Sequence, residues 1–372
     1  MIYFDNAATS FPKPRSVTNE VNRCIRKYCG NPGRSSHQLS IKSAEVIYSA
    51  REAVADLLHV NTPENVVFTY NATYALNIAI KSFAQNNCHI LTSYFEHNAV
   101  IRPLEALKKS RGIEYDIIYP SDDLYAALEE KLRNNSKGII CSVASNVTGD
   151  EFDLNVLSGF AKEHNLFLII DASAAVGHKE FDLSTTECDA FCAPGHKALY
   201  GIQGSGFVLF RDKKRRQTII EGGSGTESLS RQMPLFLPEA YEAGTLATPA
   251  IASLERGISF VRSIGISDIS NKLYTLTDHA EERLLSIPRI KQYRKGCGII
   301  SFNLDDVPSD IIAGELAKHG ICARAGLHCA PSIHNYLNTT EQGAVRLSFS
   351  LFNTKSEIDR MYRALRNIEK VI

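Results

Sequence analysis

Five apolar residues in a row, Leu166, Phe167, Leu168, Ile169 and Ile170, are followed at once by Asp171. An unbroken apolar run of this length suits a strand covered on both faces, the situation of a parallel sheet with helices above and below. A carboxylate at the end of so buried a strand needs a cation or a hydrogen-bond donor beside it. The rest of the chain must therefore supply helices for both faces and a polar crevice at the strand's carboxyl end. In open α/β sheets that crevice is where ligands bind.

The flanking sequence meets this demand. Val66 to Thr69 reads as a strand, and Asn71, Ala72 and Thr73 open a helix that continues through Leu76, Ile80 and Phe83. Ile90 to Thr92 runs to Glu96, His97 and Asn98, ahead of a helix through Leu104 and Leu107. Ile139 to Val143 ends in Ser145, Asn146, Val147, Thr148 and Gly149, and a helix over Val156 to His164 leads into the Leu166 run. Next, Ala190 to Ala193 meets Pro194, Gly195, His196 and Lys197, and Gly206 to Phe210 adds a strand. Upstream, helical spacing predicts helices over Val17 to Tyr28 and along Val46, Ile47, Ala50, Val54, Leu57 and Leu58. Between them lies a loop rich in Gly, Pro, Ser and Arg, Gly30 to Ser36, ending at His37.

Past about residue 260 the pattern changes to a strand at Ile299 to Phe302, a helix from near Ser309 to Gly320, a loop from Arg324 to Pro331 and a strand at Val345 to Phe349. Thr354 and Glu357 then form a capping box for a last helix. The expectation is an α/β protein with a large, doubly wound, mainly parallel sheet domain over residues 17–260. A smaller α+β domain would be built from residues 1–16 and 261–372.

Composition removes several function classes. Lysine plus arginine (41) balances aspartate plus glutamate (41), so no global field favours nucleic acid or an anionic membrane. The one basic run, Lys213 to Arg216, reads as a solvated turn. No apolar stretch approaches the roughly 18–20 residues of a membrane helix, and Met1 to Asp5 has neither a charged leader nor a long apolar core, so no signal peptide is expected. Nine cysteines without a Cys-x-x-Cys pair argue against a zinc ribbon or a disulfide framework. They suit a reducing compartment, and the cytoplasm is expected.

The chemistry converges on Lys197. A lysine beyond a proline-glycine break at a strand end projects its amine into the sheet-edge crevice. A desolvated amine there can form a Schiff base with an aldehyde cofactor, which arginine cannot do. Alone, Lys197 reads better as a surface lysine in a turn, Ala72 and Thr73 as a helix start as well as a phosphate cradle, and His328, Cys329 and His334 as a weak metal set. However, His97, Asn146, Asp171 and Lys197 each follow a separate strand, and Thr73 opens a helix after another. Their common placement favours a single site.

These residues carry a resemblance. Asp5 to Thr9, His37, Asn71 to Asn77, Glu96 with His97, Ser145 to Gly149, Asp171, Gly195-His196-Lys197, Glu242 to Thr245, Arg324 to Cys329 and Arg346 together resemble the class V, fold type I enzymes dependent on pyridoxal 5′-phosphate (PLP), specifically the cysteine desulfurase and selenocysteine lyase group. The resemblance implies that Lys197 holds PLP and moves a proton, that Asp171 pairs with the pyridine nitrogen, and that His97 stacks on the ring. Ala72, Thr73 and His196 would take the phosphate, with Thr245 arriving from the neighbouring subunit of a homodimer with shared sites. Asn146 would lie near cofactor and substrate, and Arg346 would grip the substrate carboxylate, with Asn6, Ala8, His37 and Arg324 also at the substrate. Cys329 would accept sulfur from L-cysteine as a persulfide, or help release selenium from L-selenocysteine, with His328 and Arg324 lowering its pKa. Sixteen residues separate Cys329 from Arg346, a short loop like that of the type II desulfurases, which commonly hand sulfur to an acceptor protein. Ala174 stands where the family usually has glutamine and Pro194 where many members have serine, with Ser173, Ser205 or Ser224 as substitutes. Alternatives are a C–S β-lyase or an aminotransferase on the same fold, and a catalytically degraded scaffold.

Overall fold

The computed structural model describes residues 1–33, 36–212 and 217–371. The basic run Lys213 to Arg216 lies outside them, as do Arg34 and Ser35 of the Gly30 to Ser36 loop. The chain begins with β1 (Ile2–Tyr3), α1 (Arg15–Lys27), α2 (Gln38–Leu57), β2 (Val66–Thr69), α3 (Ala72–Phe83), β3 (His89–Ser93) and α4 (Asn98–Arg111). It continues through β4 (Glu114–Ile118), α5 (Leu124–Lys131), β5 (Ser136–Ser142), α6 (Leu154–Glu163), β6 (Phe167–Asp171), β7 (Ala190–Pro194) and β8 (Gly206–Phe210). The remainder is α7 (Thr248–Ile264), α8 (Ile266–Leu285), β9 (Ile290–Gly296), β10 (Ile299–Leu304), α9 (Ser309–Lys318), β11 (Ile321–Cys322), α10 (Pro331–Leu337), β12 (Val345–Ser348) and α11 (Lys355–Val371).

Seven strands form the main sheet in the order β2-β8-β7-β6-β5-β3-β4. β8 runs antiparallel to both its neighbours, and the other pairs are parallel. The Leu166 run is indeed covered on both sides. Leu168 and Ile170 join the apolar core that includes Val54, Phe160 and Leu254, while Ile169 faces a second core with Leu76, Ile80 and Leu104. The register sets Ser142 and Asp171, the last residues of β5 and β6, side by side, with Cys192 of β7 next to Asp171. That edge receives the site.

The C-terminal elements make a three-stranded antiparallel sheet, β12-β10-β9. Its core gathers Phe302, Leu347, Met361 and Leu365 together with Ile2 and Phe4 from the chain's start. β1 pairs in parallel with β11, so the first residues are sewn to the last third of the chain. The Thr354 capping box forms as its spacing predicts. Glu357 accepts from the Thr354 amide at 2.9 Å, and Thr354 Oγ1 accepts from the Glu357 amide at 3.3 Å. The edge strand β4 was not foreseen, because Glu114-Tyr115-Asp116 breaks its apolar pattern and it needs only one covered side.

The loop after β5 meets the C-terminal sheet closely. Gly149, at φ +72°, lies against Gly296, and a Cβ built on it would stand 2.5 Å from the Gly296 Cα. Ser301 Oγ donates to the Val147 carbonyl at 2.6 Å in the same seam. Gly149→Ala should therefore cost about 2–4 kcal/mol, combining left-handed backbone strain with a backbone clash. A denaturant midpoint within experimental error of the parent would show that the seam yields.

Candidate active site

A cavity of about 200 Å³ opens at the carboxyl edge of the main sheet. Ala72, Thr73, His97, Asn146, Asp171, His196 and Lys197, all singled out from the sequence, line it, as do Ser142, Ser173, Ala174 and Pro194. Each residue arrives for a local reason. Asn71 caps α3, its Oδ1 accepting from the Tyr74 amide at 3.1 Å. The first-turn amides of Ala72 and Thr73, which lack intrahelical acceptors, are thus presented at the cavity wall. His97 caps α4 through Nδ1, which accepts from the Ala99 amide at 3.0 Å.

Burial governs the electrostatics. Desolvation holds the Lys197 amine down to about 8, against the pull of Asp171. Desolvation also lowers His97, and Lys197 lowers it further. His196 falls to about 4 by burial, with the charges of Lys197 and Lys13 adding to the effect. Both imidazoles are therefore neutral at pH 7, leaving Lys197 as the cavity's titratable cation. Asp171 accepts from the Ser173 amide at 2.9 Å, which meets its need for a donor. Ser173 Oγ and His196 Nδ1 are buried with no hydrogen-bond partner. In a native fold such orphans ask for a ligand or a water.

Three features were not legible in the sequence. Glu96 is fully buried. Its carboxylate takes the Ser142 amide and Ser142 Oγ, each at 2.7 Å, and the Ser93 hydroxyl, yet burial still pushes it up to about 7. This clamp ties the His97 turn to β5, beside Asp171. Lys13 donates to the His196 carbonyl and to Ser10 Oγ, both at 2.8 Å, fastening the Lys197 turn from behind. Asp5 pairs with Arg346 at 2.9 Å. All three depend on contacts distant in sequence, for which a single chain offers no spacing signal.

The Cys329 loop borders the cavity. Asn146 Nδ2 donates to the His328 carbonyl at 2.9 Å, and the Cys329 carbonyl accepts from the Asn98 amide at 2.7 Å. His328 and Cys329 both take positive φ, 50° and 57°, a backbone that costs non-glycine residues about 1–2 kcal/mol each. The Cys329 residue is exposed, in contrast to seven of the other eight cysteines. Arg346 is buried, with Nη1 donating to the Asn146 carbonyl at 2.8 Å.

The Aminotransferase class-V family model matches residues 2–361. The chain belongs to that family. A relative from Serratia proteamaculans, described as a cysteine desulfurase, is 28% identical, with 100% of this chain and 94% of the relative aligned. A probable cysteine desulfurase of Pyrococcus abyssi is 29% identical over the same shares. Among solved structures, an apo cysteine desulfurase from Thermococcus onnurineus NA1 superposes with a TM-score of 0.91 at 26% identity, covering 100% of this chain and 95% of that one. The Escherichia coli cysteine desulfurase CsdA, in an S-sulfonic acid form, gives 0.90 at 24% and the same coverage, a likeness of fold.

Within this class-V fold, several residues singled out from the sequence stand apart from the cavity. His37 caps α2, its Nδ1 accepting from the Ser40 amide at 3.2 Å. Asn6 is buried and cross-links the Ser348 carbonyl at 3.0 Å and Asn353 Oδ1 at 3.2 Å. It reaches only a small hollow that adjoins Lys197. The Ala8 amide closes a turn onto the Asp5 carbonyl at 3.1 Å. Thr245 lines separate hollows with Leu246. Arg324 lies beside the site through its backbone bridge to Arg346. Of the serines considered as substitutes beside Pro194, Ser173 lines the cavity, while Ser205 bonds to the Ile202 carbonyl and Ser224 lies in another hollow.

The expectation that His328 lowers the Cys329 pKa is corrected. Its ring is buried, Nε2 pairs with the Ala344 carbonyl at 3.0 Å, and desolvation drops its pKa far below 6.5, so it carries no charge to share. His334 likewise pairs internally, with Thr339. Among the described residues no group of three His, Cys, Asp or Glu side chains could hold a metal, and no helix is long and apolar enough to cross a membrane.

The depressed amine has a direct test. In PLP-free protein, cyanoborohydride trapping of pyridoxal at Lys197 should rise with pH through a midpoint near 8, because only the neutral amine attacks. A midpoint near the free-lysine value of about 10.4 would show the amine in water.

Proposed function

We propose that the protein is a PLP-dependent enzyme that takes sulfur from L-cysteine, releases L-alanine and carries the sulfur as a persulfide on Cys329. The observation that carries this reading is an exposed thiol on a loop hydrogen-bonded to the wall of the cavity that holds Lys197 and Asp171. The residues fit PLP. A lysine with a depressed pKa suits an aldehyde, Asp171 suits a pyridine nitrogen, and the α3 amides suit a phosphate. The orphaned Ser173 Oγ and His196 Nδ1 offer further polar contacts. When bound, PLP supplies an electron-withdrawing ring that acidifies the substrate Cα–H and weakens the bond from Cβ to sulfur.

The chain's own residues do the rest. Lys197, uncharged above a pH of about 8, takes and returns a proton at Cα. Asp171, fixed by the Ser173 amide at 2.9 Å, presents its carboxylate at the cavity wall, where it would face the pyridine nitrogen. His97, held neutral and fixed by its cap to Ala99, would lie against the ring of bound PLP and could assist proton transfer without adding charge. Arg346 orients the substrate carboxylate. The Cys329 thiolate attacks the substrate sulfur, the Cβ–S bond breaks, an S–S bond forms, and Cβ gains a proton to complete alanine. An exposed persulfide can then pass to the thiol of an acceptor protein.

Thr245, out of reach of the cavity in its own chain, would serve the site of a second copy in a homodimer. The described relatives' activity supports cysteine as substrate, and L-selenocysteine is the second candidate, since the same thiol loop need not act when selenium leaves on its own. Nine free thiols are in keeping with a cytoplasmic enzyme.

Supplied with PLP and cysteine, the purified protein should form alanine. Cys329→Ala should cut that turnover by more than about 100-fold (~3 kcal/mol of barrier) while leaving the Lys197–PLP absorbance in place. Pyruvate with ammonia as the products, or full turnover without Cys329, would point to a β-lyase instead.

A further inference from the structure

Arg346 poses a problem for a carboxylate-binding residue, because it already has a carboxylate. It is 2% exposed, and its Nη2 donates to Asp5 Oδ1 at 2.9 Å. Its Nη1 is spent on the Asn146 carbonyl at 2.8 Å. Nε is buried with no partner. A carboxylate binds a guanidinium best side-on, one oxygen on each of two adjacent nitrogens. Asp5 fills Nη2 and leaves Nε empty, so this pairing is one hydrogen bond short.

The two partners are unequally held. Arg346 sits on β12, bridged through its backbone to Arg324 at 2.7 and 3.2 Å. The Asp5 backbone is also fixed, by its bridge to Ser348 and by the Ala7 amide donating to Ser348 Oγ at 2.8 Å. The Asp5 side chain, however, is 23% exposed. Rotation of that one side chain toward solvent would uncover Nη2 without moving either strand. A buried guanidinium with no counter-charge is costly, so an anion must stand there whenever substrate does not.

The geometry points to Asp5 as a displaceable stand-in for the substrate carboxylate. It neutralises Arg346 in the resting enzyme, yields to a ligand whose two oxygens satisfy both Nε and Nη2, and returns as the product's carboxylate departs. Asp5 is thus a specificity-determining residue that sets affinity by competition. It also disfavours ligands without a carboxylate, which cannot repay its displacement. This inference rests on the reading of Arg346 as the carboxylate site.

Propionate, a carboxylate with no amine to react, separates the two claims. With PLP-loaded protein, its inhibition constant against cysteine should fall at least five-fold in Asp5→Asn. The KM for cysteine should fall with it, and kcat should not rise, because alanine is also held more tightly. An unchanged or raised inhibition constant in a folded Asp5→Asn protein would overturn the stand-in and leave Asp5 a structural clamp. Should Asp5→Asn fail to fold, Asp5→Ser is measured in the same way. Arg346→Lys should lose propionate inhibition by at least ten-fold. If it does so while Asp5→Asn behaves as the parent, only the stand-in falls. If Arg346→Lys is inhibited like the parent, Arg346 is not the carboxylate site and both claims fall.

Discussion

Desolvation at the carboxyl edge of one sheet is the constraint on which the rest of the molecule depends. Six co-directional strands end at this edge, and the residues that follow them meet in a crevice that desolvates Lys197, His97 and His196. There an amine loses part of its preference for the proton, and a carboxylate such as Asp171 must be held by a backbone donor. The same dryness that is costly to the folded chain makes each fixed charge act strongly on anything bound there. The apolar strand β6, buried on both faces, fixes where that crevice lies.

Neutral histidines are the second consequence. His97, His196 and His328 are all pushed downward by burial, and none is a cation at pH 7. They serve as caps, orphaned acceptors and packed rings, while charge is left to Lys197, Arg324, Arg346 and the carboxylates. A cavity with few mobile charges keeps its field constant through a reaction that moves protons. Glu96 fits this economy, since burial drives it toward the neutral acid while three donors hold it in place.

The C-terminal sheet completes the site by approaching closely. Gly149 against Gly296, Ser301 on the Val147 carbonyl, and Arg346 on the Asn146 carbonyl all join the loop after β5 to the last third of the chain. The N-terminal residues act as a strap across this seam. β1 pairs with β11, Asp5 holds Arg346, and Lys13 holds the turn that carries Lys197. A thiol, an arginine and a lysine from distant parts of the chain are thereby kept in one neighbourhood.

Periodicity and strand-end residues made much of this legible beforehand. The Leu166 run, the repeated strand and helix, and the polar residues after each strand determined a two-faced sheet with Thr73, His97, Asn146, Asp171 and Lys197 at one edge, because side-chain alternation and chain direction are local properties. Tertiary structure alone decided the partners. Nothing near Asp5 in sequence says that it will meet Arg346, 341 positions away, and the Gly-x-His-Cys stretch cannot say that His328 turns inward while Cys329 turns out. His37 and Ala8 stand away from the cavity for the same reason: a motif fixes which residues are present, but burial and long-range hydrogen bonds choose which atoms face the crevice.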